Sequence, residues 1–255
     1  MSNLTSCSFF NVRKKFAKEK YNMINKEIIN NYSKAIAKNP NNYLFYLERG
    51  KAKNNYGDFK GAIKDFNYSL KLNLEKKSIY YRANAKYDYG DYEGAIKDYE
   101  KLILIKDLKD KVFFNIASAQ LTNLNYQESI KNYDRAILYD DKDAYAYLNR
   151  GNAKFKTNDY LGSVEDYNKS LSIDNKSFIT FNNNGVSKFK LGNFNSALED
   201  FKRSLKINPK NYNTLYNKSL THLMLKEKKK ACIDLKKSIK LGKEVFKEEY
   251  LKICN

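Results

Sequence analysis

Helix breakers are scarce in this 255-residue chain. Two prolines and ten glycines leave few points at which a helix must stop. Cysteine occurs only at Cys7, Cys232 and Cys254, with no metal-ligand or redox spacing. So odd and sparse a set fits a reducing compartment, with buried or incidental thiols, better than a disulfide framework. No stretch approaches the ~18–20 apolar residues of a membrane span. Met1 to Phe16 holds no apolar run of secretory length, so a soluble, cytoplasmic protein is expected. Paired-carboxylate, Cys/His, metal-ligand and phosphate-loop constellations are missing, and no catalytic residue, metal or cofactor is expected. The sole histidine, His222, falls in a column of mostly Lys and is assigned to packing.

What is abundant points to a folded, helical protein. Aromatic residues make up 15%, which a disordered chain would not carry, and the length suffices for a large core. The formal charge is +19, from 48 Lys+Arg against 29 Asp+Glu. Such an excess favours acidic partners or nucleic acid. The lysines are spread along the chain without a compact basic block, which weighs against nucleic acid.

Self-comparison exposes a repeat. The segments Gly57–Phe66, Gly90–Tyr99 and Gly192–Phe201 align with one another. A step of about 34 residues, shorter by one at a single place, recovers the same columns throughout. One column is aromatic: Tyr32, Phe66, Tyr99, Tyr133, Tyr167 and Phe201, with Leu235 last. One helical turn earlier stand Ile28, Ala62, Ala95, Ser129, Ser163, Ala197 and Ala231. A second mostly small column holds Phe16, Gly50, Ala83, Ala117, Gly151, Gly185 and Ser219. Small and large residues one turn apart share a helix face, and small residues let two helices approach while aromatics fill the space beside them. Each unit therefore reads as helix A, a turn and helix B. Gly57-Asp58, Gly90-Asp91, Asn158-Asp159 and Gly192-Asn193 supply a left-handed stop and an N-cap. Asn39-Pro40 and Asn208-Pro209 end helix B. Such a hairpin cannot bury its own apolar face, so neighbours must stack on it.

With these columns the chain resembles the tetratricopeptide repeat (TPR) family over roughly 9–244. The resemblance implies an all-α fold, an α-α superhelix of about six to seven hairpins. The expected units are 9–42, 43–75, 76–109, 110–143, 144–177, 178–211 and 212–242, with 243–255 as a capping helix. Tyr32 to Ala37 forms a clear helix B in the first unit, whose helix A stays open. Val245, Phe246, Tyr250 and Ile253 give the cap its apolar side. Where the family commonly carries Tyr, this chain has Lys53, Lys86, Gln120, Lys154, Lys188 and His222, so packing between repeats must differ there. Arg49 and Asp65, Arg82 and Asp98, and Arg150 and Asp166 recur at one fixed separation, the first on helix A and the second on helix B. An ion pair within each of these hairpins is expected. In the unit between, Ile116 and Asn132 replace both members.

The resemblance also places a binding groove on the A helices. The residues it assigns there include Tyr80, Tyr81, Asn84, Phe114, Asn115, Tyr145, Asn149, Asn152, Asn182, Asn183, Tyr216 and Asn217. Asn115, Asn149, Asn183 and Asn217 recur in one column, and a carboxamide can pair with both N–H and C=O of an extended peptide. The same column could instead satisfy polar groups between repeats. The carboxylate clamp for chaperone C-termini is not expected, because Asn84 and Asn115 match while Tyr80, Tyr145 and Asn149 replace its three cations. The leading expectation is a scaffold binding an extended protein segment, its partner possibly acidic. The alternative is a basic solenoid engaging nucleic acid or an acidic surface.

Overall fold

The computed structural model describes residues 6–105, 109–242 and 247–254, with the side chains of 6–18 and 249 outside the description. Every regular element among the described residues is a helix. In order these are α1 (Ser6–Lys38), α2 (Tyr43–Tyr56), α3 (Phe59–Leu72), α4 (Lys76–Tyr89), α5 (Tyr92–Glu100), α6 (Lys109–Thr122), α7 (Tyr126–Tyr139), α8 (Ala144–Lys156), α9 (Tyr160–Ile173), α10 (Phe178–Lys190), α11 (Phe194–Ile207), α12 (Tyr212–Met224), α13 (Lys228–Lys240) and α14 (Lys247–Cys254). From α2 to α13 even-numbered helices are A and odd-numbered helices B. The chain divides within α6 into two compact units, Met1–Ala119 and Gln120–Asn255. In the first, α1 packs on α2, α2 on α3, α3 on α4 and α4 on α5. In the second, contacts run in the same way from α7 to α14.

The punctuation follows the turn residues. Gly57, Gly90 and Gly192 have φ of 96°, 94° and 78°, and Asn158 has 65°, each ending an A helix. Leu124 and Lys226 adopt φ of 63° and 60° at the corresponding turns, a conformation that disfavours residues other than Gly and Asn. The carboxylates of Asp58, Asp91 and Asp159 then accept the N–H of Gly61, Gly94 and Gly162. Before Pro40 and Pro209 the B-type helices stop at Lys38 and Ile207. The single short step of the repeat arises between α3 and α4, where the connection is 73–75. The connections 140–143, 174–177 and 208–211, from α7 to α8, α9 to α10 and α11 to α12, are each longer by one.

The two small columns do different work. Ala62, Ala95, Ser129, Ser163, Ala197 and Ala231 are all essentially inaccessible, as are Phe66, Tyr99, Tyr133, Tyr167 and Phe201. At Gly50, Gly151 and Gly185 the B-helix ring lies so close that an added Cβ would sit 2.7, 2.7 and 2.6 Å from Phe66, Tyr167 and Phe201. Elsewhere the column tolerates a methyl group, at Ala83 and Ala117.

The helix A left open in the first unit does not appear as a separate helix, because α1 runs unbroken from Ser6 to Lys38. The first glycine of the chain is Gly50, so no glycine stop is available there. Asn25 stays helical by donating its amide to the Tyr21 carbonyl at 2.8 Å. The side chain of Phe16 lies outside the described residues. Cys232 and Cys254, expected as separate thiols, form a disulfide with Cα atoms 5.7 Å apart. Their spacing matches no sequence motif, and only the return of α14 onto α13 brings them together. Such a bond fits an oxidising setting, against the reducing one inferred from cysteine count. Tyr250 and Ile253 of α14 are half-buried, while Val245 and Phe246 lie outside the described residues.

The expected ion pairs are present and more deeply placed than surface pairs. Arg49 grips Asp65 with Nε and a terminal nitrogen at 2.8 and 2.7 Å, and Arg82 grips Asp98 at 2.7 and 2.6 Å. Arg150 holds Asp166 at 2.9 and 2.6 Å. All three carboxylates are buried, so losing a partner belongs to the class costing about 3–5 kcal/mol, above the ~0.2–1 kcal/mol of exposed pairs. The remaining nitrogen of each arginine reaches the preceding helix B or α1, at Ser33, Asn67 or Asp134. The Lys column then explains itself. Lys53, Lys86, Lys154 and Lys188 lie 2.9, 2.7, 3.0 and 2.7 Å from Asp65, Asp98, Asp166 and Asp200. Where Asn132 replaces the acid, Gln120 replaces the lysine and accepts its amide at 2.9 Å. Asp234 takes Lys218 at 2.8 Å and His222 at 3.5 Å.

Burial alone would push the Asp98 carboxyl up, but hydrogen bonds from Arg82 and Lys86 overcome it and hold it below its ordinary value. Asp200 has Lys188 but Asn184 in place of an arginine, and burial pushes its carboxyl up.

Two measurements check this packing. Gly151→Ala should destabilise the second unit by about 1–3 kcal/mol in denaturant unfolding, through overpacking against Tyr167. The stability lost in Asp98→Asn should be full above the ordinary carboxylate pKa and vanish as pH falls through the lowered folded value. Asp200 should behave oppositely. Its raised value means that wild-type stability falls as pH rises from the ordinary value through the folded one, so Asp200→Asn loses little at neutral pH.

Candidate functional site

The groove residues expected from sequence fall in both units, and each group is described by itself. In the first unit Tyr80, Tyr81, Asn84, Phe114 and Asn115 are half-buried or buried. Tyr81 packs against Phe66 and Tyr80 against Tyr99, with ring centroids 6.2 and 6.1 Å apart, so these tyrosines serve the core as much as a surface. Asn115 donates to the Tyr80 hydroxyl at 3.2 Å.

In the second unit the carboxamides form one hydrogen-bonded chain across three A helices. Asn217 on α12 donates to Asn182 on α10 at 3.1 Å, and Asn182 donates to Asn183 at 3.2 Å. Asn183 donates to Asn152 on α8 at 3.0 Å, and Asn152 to Asn149 at 3.5 Å, the weakest link. Thr214 also donates to Asn182 and Tyr167 to Asn152, at 3.0 and 2.9 Å. The oxygens of Asn152 and Asn182 therefore each accept two bonds. Burial pushes the Tyr167 hydroxyl well up, with Asp166 adding to it, so it stays a protonated donor.

This relay gives the asparagines a structural role between repeats, yet it leaves capacity. Each carboxamide has two N–H groups, and a second donor on Asn152, Asn183 and Asn217 has no partner among the described residues. Tyr145 is 67% exposed and lies apart from the relay, while Tyr216 is half-buried.

Beside the relay opens a cavity of 540 Å³, with Asn152, Asn183 and Tyr167 on one side and Phe155, Val186 and Lys156 among its other walls. A smaller cavity of 160 Å³ recurs one repeat further on, lined by Phe189, Lys190, Phe201, Asn217 and Leu220 with Val186. Phe155, Lys156, Phe189 and Lys190 were not among the residues expected from sequence. The available signal was the recurrence of Phe-Lys in successive repeats, one helical turn beyond the Asn152 column.

Among the described residues no cluster of His, Cys, Asp or Glu could hold a metal ion. His222 is buried, with Nδ1 2.6 Å from Glu227. No helix among the described residues is long and apolar enough to cross a membrane.

Stacked A–B hairpins with a polar A-helix face define an all-α helical-repeat protein of the interaction-scaffold class. Residues 114–178 and 178–211 match the tetratricopeptide repeat family, so this stretch of the chain carries tetratricopeptide repeats. Its fold is similar to the C-terminal part of a TPR repeat-containing protein from Cytophaga hutchinsonii, at 16% identity, 89% of this chain, 93% of that one and a TM-score of 0.72. A tetratricopeptide repeat protein from Parabacteroides merdae is similar at 19% identity, 93% and 99% coverage and a TM-score of 0.63. YrrB, described as a TPR protein with an unusual peptide-binding site, is similar at 18% identity, 73% and 97% coverage and a TM-score of 0.60. No curated protein matches the chain.

Asn183→Ala should break the relay between α8 and α10 and cost about 1–3 kcal/mol, because partners on both sides lose a bond. Urea unfolding of the variant against wild type measures this.

Proposed function

We propose that the A-helix face of the second unit binds an extended segment of a partner protein and has no catalytic role. The observation that carries this reading is the 540 Å³ cavity, apolar at Phe155 and Val186, bordered by the amides of Asn152 and Asn183. An extended segment offers carbonyl oxygens to such donors and a side chain to the apolar wall. The peptide-binding description of YrrB is consistent with it. Lys156 at the rim favours an acidic residue in the bound segment. Tyr145 and Tyr216 extend the same face with rigid contact area.

The alternative, a basic surface for nucleic acid, loses part of its footing because five lysines (Lys53, Lys86, Lys154, Lys188 and Lys218) are engaged with the aspartate column. Short random peptides displayed on phage provide the test. Peptides selected on the wild-type protein should lose at least about tenfold in affinity on Val186→Asp, and about as little as any neutral contact on substitution of the exposed Tyr68. Affinity unchanged by Val186→Asp would reject the groove. An affinity loss of about 10³ or more between roughly 50 and 200 mM salt would favour the nucleic-acid type of binding instead.

A further inference from the structure

The first unit contains a cavity built on the same register as the large cavity of the second. It measures 360 Å³ and is lined in part by Asn54, Asn84, Asp88, Tyr99, Asn115 and Ser118. Asn84, Tyr99 and Asn115 stand two repeats before Asn152, Tyr167 and Asn183, each at the same place in its unit. The framework bond is the same, since Tyr99 donates to Asn84 as Tyr167 donates to Asn152. The groups that differ all change in one direction. Asp88 stands where the second unit has Lys156, Ser118 where it has Val186, and Asn54 where it has Leu121. A basic, apolar lining has become an acidic, polar one.

Two of the added groups, Asp88 and Asn54, bring acceptor oxygens. Asn54 donates its amide to the Asp88 carboxylate at 2.9 Å. A carboxylate can only accept, so this bond sets the orientation of the amide and turns Oδ1 the other way. That Oδ1 is buried and accepts no hydrogen bond from the described residues. A buried acceptor left without a donor costs free energy that a donor-bearing ligand would recover. Asp88 is exposed and adds negative charge. Tyr87, Tyr99 and Phe114 contribute aromatic walls, on which a cation is favourably placed.

We propose that this first-unit cavity is a binding site for a cationic, donor-rich side chain, with arginine guanidinium the best fit. The Asp88 carboxylate and Asn54 Oδ1 accept its N–H groups, and the aromatic walls take its flat face. The site does not depend on the reading of the second unit, whose cavity selects the opposite chemistry.

The probe is N-acetyl-arginine amide, titrated into the full chain while the side-chain amide resonances of Asn54 and Asn84 are followed by NMR. N-acetyl-leucine amide and N-acetyl-glutamic acid amide serve as controls. Saturable shifts of Asn54 with the arginine probe are expected, and no comparable shifts with the controls. In Asp88→Lys, which copies Lys156, affinity should fall by at least about tenfold. The variant Asn54→Leu, which copies Leu121, should lose binding similarly and decides the matter if Asp88→Lys fails to retain its helical circular dichroism. Absence of a saturable shift in wild type, equal binding of the glutamic acid probe, or unaltered affinity in the folded variants would overturn the proposal.

Discussion

A ring on helices α3, α5, α9 and α11 rests against a helix A position with room for only a hydrogen or a methyl group. This contact carries the hairpins, because the ring both fills the space between helices and sets how closely they approach. Gly151 beneath Tyr167 and Gly185 beneath Phe201 show how little room remains. The contact also reaches the surface. The residue after Gly151 is Asn152, and the hydroxyl of the seated Tyr167 ring donates to it. Tyr99 and Asn84 repeat the arrangement beside Ala83. Where the ring is Phe201 or the column ends in Leu235, the corresponding residues are Val186 and Leu220. In these four hairpins a hydroxyl is present beside the amide and absent beside the apolar residue. In these hairpins the core ring thus helps to set whether the A-helix residue above it is polar or apolar.

A second constraint is electrostatic. Each hairpin from α2 to α13 buries an acid or its amide at one register, and polar or cationic side chains from helix A answer it. Arginine and lysine hydrogen bonds together overcome burial at Asp98, whereas at Asp200 burial prevails over the Lys188 hydrogen bond and the nearby Arg203 charge. The neighbouring Asn184 carries a buried Oδ1 without a partner among the described residues, in keeping with the loss of arginine there. The third nitrogen of each arginine ties its hairpin to the preceding helix, so one side chain serves both folding within a repeat and stacking between repeats. Part of the +19 charge is therefore structural.

The repeating parts are legible in the sequence because periodic columns record periodic contacts. The ring and small columns, the left-handed stops at Gly57 and Asn158, and the Arg–Asp pairs all follow from spacing alone. The features that spacing does not reveal are aperiodic or depend on context. The pairing of Cys232 with Cys254 needs the return of α14, and the continuity of α1 follows the lack of any glycine before Gly50. The lysine column is an unexplained departure in sequence alone, and acquires its reason only from Asp65 and its counterparts buried beside it. The asparagine column is visible, but the row of amides is bonded to itself, through Asn182 and Asn152 as well as the residues of the column. The cavity walls at Phe155 and Lys156 lie one helical turn beyond Asn152, where no single residue type repeats through all units.

The dependence of the surface on the seated ring can be measured directly by determining the crystal structure of Tyr167→Phe. The ring should stay against Gly151 and the hairpins keep their spacing, while Asn152 turns and its bond to Asn183 is lost. An unchanged Asn152–Asn183 bond at 3.0 Å with the hydroxyl gone would contradict the account, because the A-helix face would then be organised without the core beneath it.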